Sequence, residues 1–286
     1  MHSDPRSEAA TGDTVAAFAP AKINLSLHVT GRRPDGYHLL DSFVVFADVG
    51  DTLTVALDAA PGLSVTGPMA PGVPTGPGNL VLKAAAFFGA SARITLDKHL
   101  PAEAGIGGGS SDAAAVLRAL SGLTSQPVPE GTQALGADVP VCVLARAARM
   151  RGLGEIVDAL PPLPPLHAVL ANPGVAVATP AVFAALDRRD TPPMPECIPH
   201  FAGTAALIDW LTGLRNDLER PALTVAPVIA DVIAALQDLP GCALARMSGS
   251  GATCFGLFTS RDAADAGAAR LSALRPDWWV RAATLT

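Results

Sequence analysis

Lys22 and Asn24 stand two residues apart in AFAPAKINLSL, and Asp138 lies in the apolar setting LGADVPVCV. On a strand, residues i and i+2 leave the same face, so the ammonium and the carboxamide would point together. A lysine on an apolar strand needs a partner or an anion, and an ordinary salt bridge or simple exposure would also satisfy it. Asp138 has two readings as well. It either caps backbone N–H groups in a tight turn or serves as a general base or charge partner that positions a hydroxyl. In the second case Lys22 could hold the same hydroxyl oxygen together with a phosphoryl group in transfer.

A glycine-rich stretch, EAGIGGGSSDAAA at 103–115, supplies what such chemistry lacks. Gly105, Gly107, Gly108 and Gly109 are costly in backbone entropy, but they expose N–H groups that no side chain shields. Ser110 and Ser111 are placed to cap a helix running through SDAAAVLRAL, giving a loop that feeds anionic oxygens into a helix N-terminus. A flexible loop with an ordinary cap is the bland alternative. The dinucleotide fingerprint does not fit, because these glycines are not at a first strand-to-helix turn. A Walker A loop needs a lysine after its last glycine, and Ser110 follows Gly109. A second Gly/Ser segment, SGSGATCFGLF at 248–258, reads as a hairpin turn or as another part of the same ligand site.

The elements that must position these residues follow from pattern. Thr14 to Gly31 reads as a half-buried strand, with Asn24, Ser26 and His28 alternating against Ile23, Leu25, Leu27 and Val29. P-D-G at 34–36 marks a turn, and 41–58 reads as two strands around a loop at 48–51. Residues 62–78 form a Gly/Pro-rich excursion, a helix begins near Asn79, and a strand with Ile94 and Leu96 delivers the glycine loop. A helix over 111–121 and a weaker helix signal in PVPEGTQAL precede the turn at Asp138, which leads into strand-like VCVLA. PPLPP at 161–165 is the candidate domain boundary, dividing 1–160 from 161–286. Beyond it come a strand (HAVLANPG), a helix (TPAVFAAL), helices near 204–213 and 224–238, a strand pair around the second Gly/Ser loop, a helix near 261–273 and a last strand. Strands and helices mixed in both halves indicate an α+β chain.

Composition narrows the function classes. With 286 residues, 49% of them hydrophobic, the chain can bury a large core. A net charge of −6 implies no global attraction to nucleic acid, though a local phosphate site is compatible with it. Cys142, Cys197, Cys242 and Cys254 form no C-x-x-C pair, so neither a zinc knuckle nor a redox dithiol is indicated. Thiols in apolar runs fit a reducing, cytoplasmic setting. Residues 159–186 lack Asp, Glu, Lys and Arg but contain six prolines, which argues against a membrane helix. The polar start MHSDPRSEAATGD is expected to be a loose tail and not a secretory signal.

Taken together, APAKINLSLHVTGRRPDGYHLLDS, GIGGGSSDAAA, LGADVPVCV, ANPGVAVATPAVF, RNDLE and MSGSGATCFGLF resemble the GHMP kinase superfamily, in order and over most of the chain. The first segment resembles the branch that phosphorylates the 2-hydroxyl of CDP-methylerythritol with ATP, in non-mevalonate isoprenoid precursor synthesis. The resemblance implies a two-domain α+β fold, with a ribosomal-protein-S5-like amino-terminal domain and a ferredoxin-like carboxy-terminal one. It implies Asp138 and Lys22 as the catalytic pair, and Asn24 near the methylerythritol group. Tyr37 and His38 would receive the cytosine, with Phe183 stacking on it and Thr179 beside it. Gly105 to Ser111 would wrap the ATP phosphates, and Asn79 and Lys98 would lie toward the adenosine. Mg²⁺ would arrive on ATP, with no protein ligand nominated. A small-molecule kinase of this kind needs no nucleic acid or membrane partner and would be a monomer or weak homodimer. Glu103 departs from the family, which commonly has a small residue there, and it is expected to face solvent. Other GHMP kinases acting on sugars, homoserine or mevalonate, and a non-catalytic nucleotide-binding protein, are the competing readings.

Overall fold

The structure is a computed structural model and describes residues 14–286. The tail expected at the start of the chain lies outside the described residues.

β1 (Thr14–Arg32) and β2 (His38–Leu57) form a long antiparallel pair closed by the P-D-G turn. Three register shifts interrupt β1, between Pro20 and Lys22, Asn24 and Ser26, and Val29 and Gly31. From Ala19 to Val29 every residue of β1 is buried, so the expected half-exposed strand is corrected. Both faces are covered, and Asn24, Ser26 and His28 find polar neighbours inside. β2 is one continuous strand where two were expected around 48–51. Its first part pairs with the strand Ala148–Gly152 and its second with the strand Ala92–Asp97, so the apparent loop is a change of partner.

β3 (Gly62–Thr66) lies within the Gly/Pro-rich excursion and pairs parallel to β4 (Ala92–Asp97). Between them, α1 (Leu80–Phe88) starts where Asn79 accepts the Val81 N–H and stops at Gly89 in the left-handed region. α2 (Gly108–Thr124) begins three residues earlier than the serine caps implied, with Gly107 (φ +63°) at its N-cap and no side-chain cap bond. The weak helix signal at 127–135 yields only a single 3-10 turn, Thr132–Ala134. VCVLA, read as a strand, belongs to α3 (Val139–Leu144). A short apolar run does not distinguish the two states, and Pro140 suits a helix's first turn.

β5 (Ala148–Gly152) and β6 (Ile156–Ala159) form a hairpin before the proline run. The later part contains β7 (Leu166–Asn172), α4 (Thr179–Ala184), α5 (Thr204–Thr212), α6 (Glu219–Val225), α7 (Val228–Gln237), β8 (Leu244–Met247), β9 (Cys254–Phe258), α8 (Arg261–Leu274) and β10 (Trp279–Leu285). The helix expected over 224–238 is thus two, broken before Pro227 because a residue preceding proline is driven out of the helical region.

Strand order β3-β4-β2-β10-β7-β9-β8 makes one sheet out of both parts of the chain. The joint is short, with Leu285 opposite Ala47 and Phe46 exchanging backbone bonds of 2.9 Å with Thr286. Ile23, Leu25 and Phe43 pack with Leu170, Leu211, Phe255 and Leu257 in a core shared across this joint. α1 and α2 cover β1, β2 and β4 through Val81, Ala84, Ala113, Val116, Leu117 and Leu120. Truncating a wholly buried leucine such as Leu117 to alanine would cost about 2–5 kcal/mol. Among the described residues no helix is long and apolar enough to cross a membrane.

Candidate active site

Lys22 Nζ lies 2.7 Å from Asp138 Oδ2. Asp138 stands at the N-cap of α3, yet its side chain accepts no capping bond, so the carboxylate is left for the lysine. Lys22 is 5% exposed and Asp138 30%, which gives the pair one open side. Beneath it the Cys142 thiol is wholly buried and held un-ionised, first by burial and then by the negative charge of Asp138.

The glycine loop is built against this pair. The Lys22 backbone N–H donates to Ile106 O at 2.9 Å, and a Cβ on Gly107 would come within 3.2 Å of Lys22 Cβ. Gly107 therefore needs both a left-handed backbone and the missing side chain. α2 starts with no side-chain cap and no acid in its first turn, leaving its first N–H groups unmatched. That is an anion site facing a lysine. A Cβ on Gly109 would meet nothing within 4 Å.

The second Gly/Ser loop supports the first from behind. Ser248 Oγ donates to Gly105 O at 3.0 Å, and Thr253 N–H donates to Ala104 O at 3.1 Å. A Cβ on Gly105 would sit 2.5 Å from Ser248 O, so the two loops touch backbone to backbone. Asn216 holds the outer loop by donating Nδ2 to Met247 O at 2.8 Å and Gly249 O at 2.9 Å, while Glu219 accepts the Met247 N–H. RNDLE thus acts as a brace for MSGSG, a role that sequence reading did not give to Asn216 or Glu219. Glu103 is exposed as expected, at φ +49°, where a small residue would be less strained.

The residues expected around the acceptor are distributed unevenly. Asn24 is wholly buried, with Nδ2 donating to Ser42 Oγ at 2.7 Å and Oδ1 unpartnered. His38 and Phe183 stack at 4.9 Å between ring centroids and 19° between planes, leaving no room for a third ring between them. Burial lowers the His38 pKa, and the Arg32 and Arg189 charges lower it further. Tyr37 lies outside this stack, 65% exposed. Thr179, at the start of α4, is hydrogen-bonded to Ser250 at 2.8 Å, which ties the Phe183 helix to the second loop.

Three expected nucleotide contacts are already engaged within the chain. Lys98 Nζ donates to Asp112 at 2.8 Å and to Asp51, and all three side chains are buried. The ammonium lies beneath Gly108, 3.3 Å from where its Cβ would be. Asn79 uses both ends of its amide, accepting from Val81 and donating to Pro74 O. Ser111 is wholly buried and donates to Pro20 O at 2.7 Å, fastening α2 to β1. Of the two serines, only Ser110 has an accessible side chain. Asp51 and Asp112 were missed because nothing in their local sequence marks them. Among the described residues no three His, Cys, Asp or Glu side chains cluster as a metal-ligand set.

Residues 79–146 match the GHMP kinases N terminal domain and residues 202–277 match the GHMP kinases C terminal model. A 4-diphosphocytidyl-2-C-methyl-D-erythritol kinase of Dinoroseobacter shibae is 59% identical over 267 residues, 93% of each chain. The chain belongs to the 4-diphosphocytidyl-2-C-methyl-D-erythritol kinase family. A second member, from Cereibacter sphaeroides, is 58% identical over 94% of this chain and 98% of its own length. A crystal structure of a 4-(cytidine 5'-diphospho)-2C-methyl-D-erythritol kinase superposes with a TM-score of 0.74 at 37% identity, covering 95% of this chain and 99% of the other. The two-domain α+β GHMP kinase fold is therefore that of the family. A homoserine kinase from Cytophaga hutchinsonii, at 19% identity and a TM-score of 0.61, shares the fold.

Proposed function

We propose that the chain transfers the γ-phosphoryl group of ATP to the 2-hydroxyl of 4-CDP-2-C-methyl-D-erythritol, a step in non-mevalonate isoprenoid precursor synthesis. The observation that carries this reading is the Lys22–Asp138 pair beside the uncapped, glycine-lined start of α2. Phosphoryl transfer asks a protein for positioning and charge compensation more than for covalent chemistry.

In this reading the loop from Gly105 to Ser110 wraps the triphosphate with its N–H groups, while the Ser111 N–H is spent on Gly107 O at 2.8 Å. Lys22 compensates charge on the group in transfer and orients the acceptor oxygen. Asp138, paired and partly open, accepts the hydroxyl's hydrogen bond and takes its proton as the bond to phosphorus forms. The chemistry Mg²⁺ would supply, bound to the nucleotide, is charge screening of the phosphates, with no protein ligand assigned to it. Asn24 lies beside the reacting alcohol, and His38, Phe183 and Tyr37 hold the cytosine, with Thr179 at the edge of the same site. Lys98 and Ser111 are buried and bonded inside the chain, so in this reading they shape the loop from beneath, and Asn79, which caps α1, keeps its second amide hydrogen for the nucleotide. The site lies between residues 1–160 and 161–286, taken as two domains. The enzyme is read as cytoplasmic, a monomer or weak homodimer, with no nucleic acid or membrane partner.

The test is ATP consumption by the purified protein with Mg²⁺ and CDP-methylerythritol, with homoserine, mevalonate and galactose as alternative acceptors. Turnover with the CDP-linked alcohol alone is expected. Turnover with another acceptor instead overturns the specificity, and none with any acceptor overturns the activity.

A further inference from the structure

Two serine hydroxyls grip Asn24, and the proton of each already has a destination. Ser42 Oγ donates to Ser26 O at 2.6 Å, and a hydroxyl has only one proton to give. Toward Asn24 it can therefore only accept, so the amide atom 2.7 Å away must be Nδ2. On the backbone side, Ser248 Oγ donates to Gly105 O and accepts the Asn24 N–H at 3.1 Å. The Asn24 N–H and one hydrogen of Nδ2 are thus taken by the two serines. What remains is Oδ1, a buried acceptor without a partner.

The strand register is regular from Lys22 to Asn24, opposite Phe46 through Val44, so this acceptor lies on the same side of β1 as the Lys22 side chain. We propose that Ser42 is a positioning residue for the phosphoryl acceptor: it fixes the Asn24 carboxamide with its oxygen free, so that the site meets a hydroxyl through that hydroxyl's own hydrogen. This rests on the reading that Asn24 lies beside the acceptor alcohol. With the amide reversed, N–H donors would stand beside the Lys22 ammonium, and both would compete for the lone pairs of the alcohol. With the oxygen free, Lys22 takes a lone pair of the reacting hydroxyl, Asp138 keeps that hydroxyl's proton, and Asn24 Oδ1 accepts a hydrogen bond from a neighbouring hydroxyl of the polyol, which fixes its rotation. Sequence alone hides this, because Ser42 lies eighteen positions from Asn24 and looks like any polar strand residue.

The experiment is steady-state kinetics of Ser42→Ala and Ser42→Thr, with the KM for CDP-methylerythritol and the KM for ATP measured separately beside thermal melting. Ser42→Ala is expected to raise the KM for the CDP-linked alcohol about tenfold while the ATP KM stays within twofold. Ser42→Thr keeps the hydroxyl and should return the acceptor KM to within threefold of the wild type. An unchanged acceptor KM in Ser42→Ala overturns the proposal. So does an equal rise in both KM values, which is what simple loosening of β1 against β2 would give. If Ser42→Ala does not fold, Ser42→Cys reads the same contact through a weaker group. A rise of at least threefold in acceptor KM alone supports the role, and no rise overturns it. Wild-type protein inactive on the CDP-linked alcohol would instead sink the parent reading, before any variant is assayed.

Discussion

Lys22 on β1 and Asp138 at the head of α3 meet at 2.7 Å, and Gly107, packed against the Lys22 side chain, brings the start of α2 up to them. The ion pair is 116 positions apart in sequence, and at it a cation and a carboxylate converge with unmatched N–H groups at the start of a helix. Removing either member should therefore affect the chemical step first. Asp138→Asn is expected to lower kcat about 10²–10⁴-fold, and Lys22→Met about 10²–10³-fold. Because they act as a unit, the double variant should be little worse than the worse single one. Single-turnover rates check this, and fully additive losses would show that the two residues work independently.

Gly107 and Gly109 make opposite predictions although both lie in the same glycine run. Alanine at 107 must adopt φ +63° and crowd Lys22, so it should lose about 1–2 kcal/mol of stability and raise the ATP KM at least tenfold. Alanine at 109 has room and a helical backbone, so stability should hold or rise slightly. Its ATP KM should still rise, because the methyl group occupies the open side that the phosphates approach. Urea melts beside ATP titrations separate the two effects.

His38 should set the acidic limit of acceptor binding. Its pKa lies below the usual 6.5 because burial, Arg32 and Arg189 all disfavour the imidazolium. The neutral ring is thus the form present at pH 7, and the acceptor KM should be flat above neutrality. As pH falls through the lowered pKa, the ring gains charge between two guanidinium groups and the acceptor KM should climb, while the ATP KM does not. His38→Gln should abolish that slope, and Phe183→Leu should raise the acceptor KM about tenfold at every pH by removing the stacked ring. A pH-independent KM in the wild type would show that His38 does not contact the ligand in a protonation-sensitive way.

How legible this site is in sequence depends on how local each signal is. The glycine run, Lys22 and Asp138 announce themselves because their residue types are odd for their surroundings. Asn24 is marked by its spacing from Lys22, whereas Tyr37, His38 and Phe183 become visible only through family resemblance, since a lone histidine or phenylalanine has many uses. The braces are hidden altogether: Asn216 holds Gly249 from 33 positions away, and Asp51 reaches Lys98 from 47. The same reasoning explains the fold-level corrections. VCVL is too short an apolar run to show its period, and β2 looks broken at 48–51 because it changes partners there without changing direction.

Lys98, whose ammonium lies beneath Gly108, should govern stability more than nucleotide affinity. One ammonium faces two buried carboxylates, so ionising both would leave the cluster with a surplus negative charge. Asp51 is the better solvated of the two, since its Oδ1 accepts the backbone N–H groups of His99 and Leu100. Asp112 has an unpartnered Oδ1, and burial pushes its pKa up to about 7. Lys98→Met would leave both acids unmatched and should cost about 3–5 kcal/mol of unfolding free energy. For Asp112 the folded pKa is raised above the ordinary 3.8, so the native state binds more protons than the unfolded chain between those values. Its contribution to stability is therefore most favourable at low pH and is lost as pH rises through 7. Asp112→Asn removes that titration, so relative to wild type it should look better at pH 8 than at pH 5. Urea denaturation at the two pH values decides the matter, and a variant whose disadvantage grows with pH would show that Asp112 is held in its charged form by Lys98.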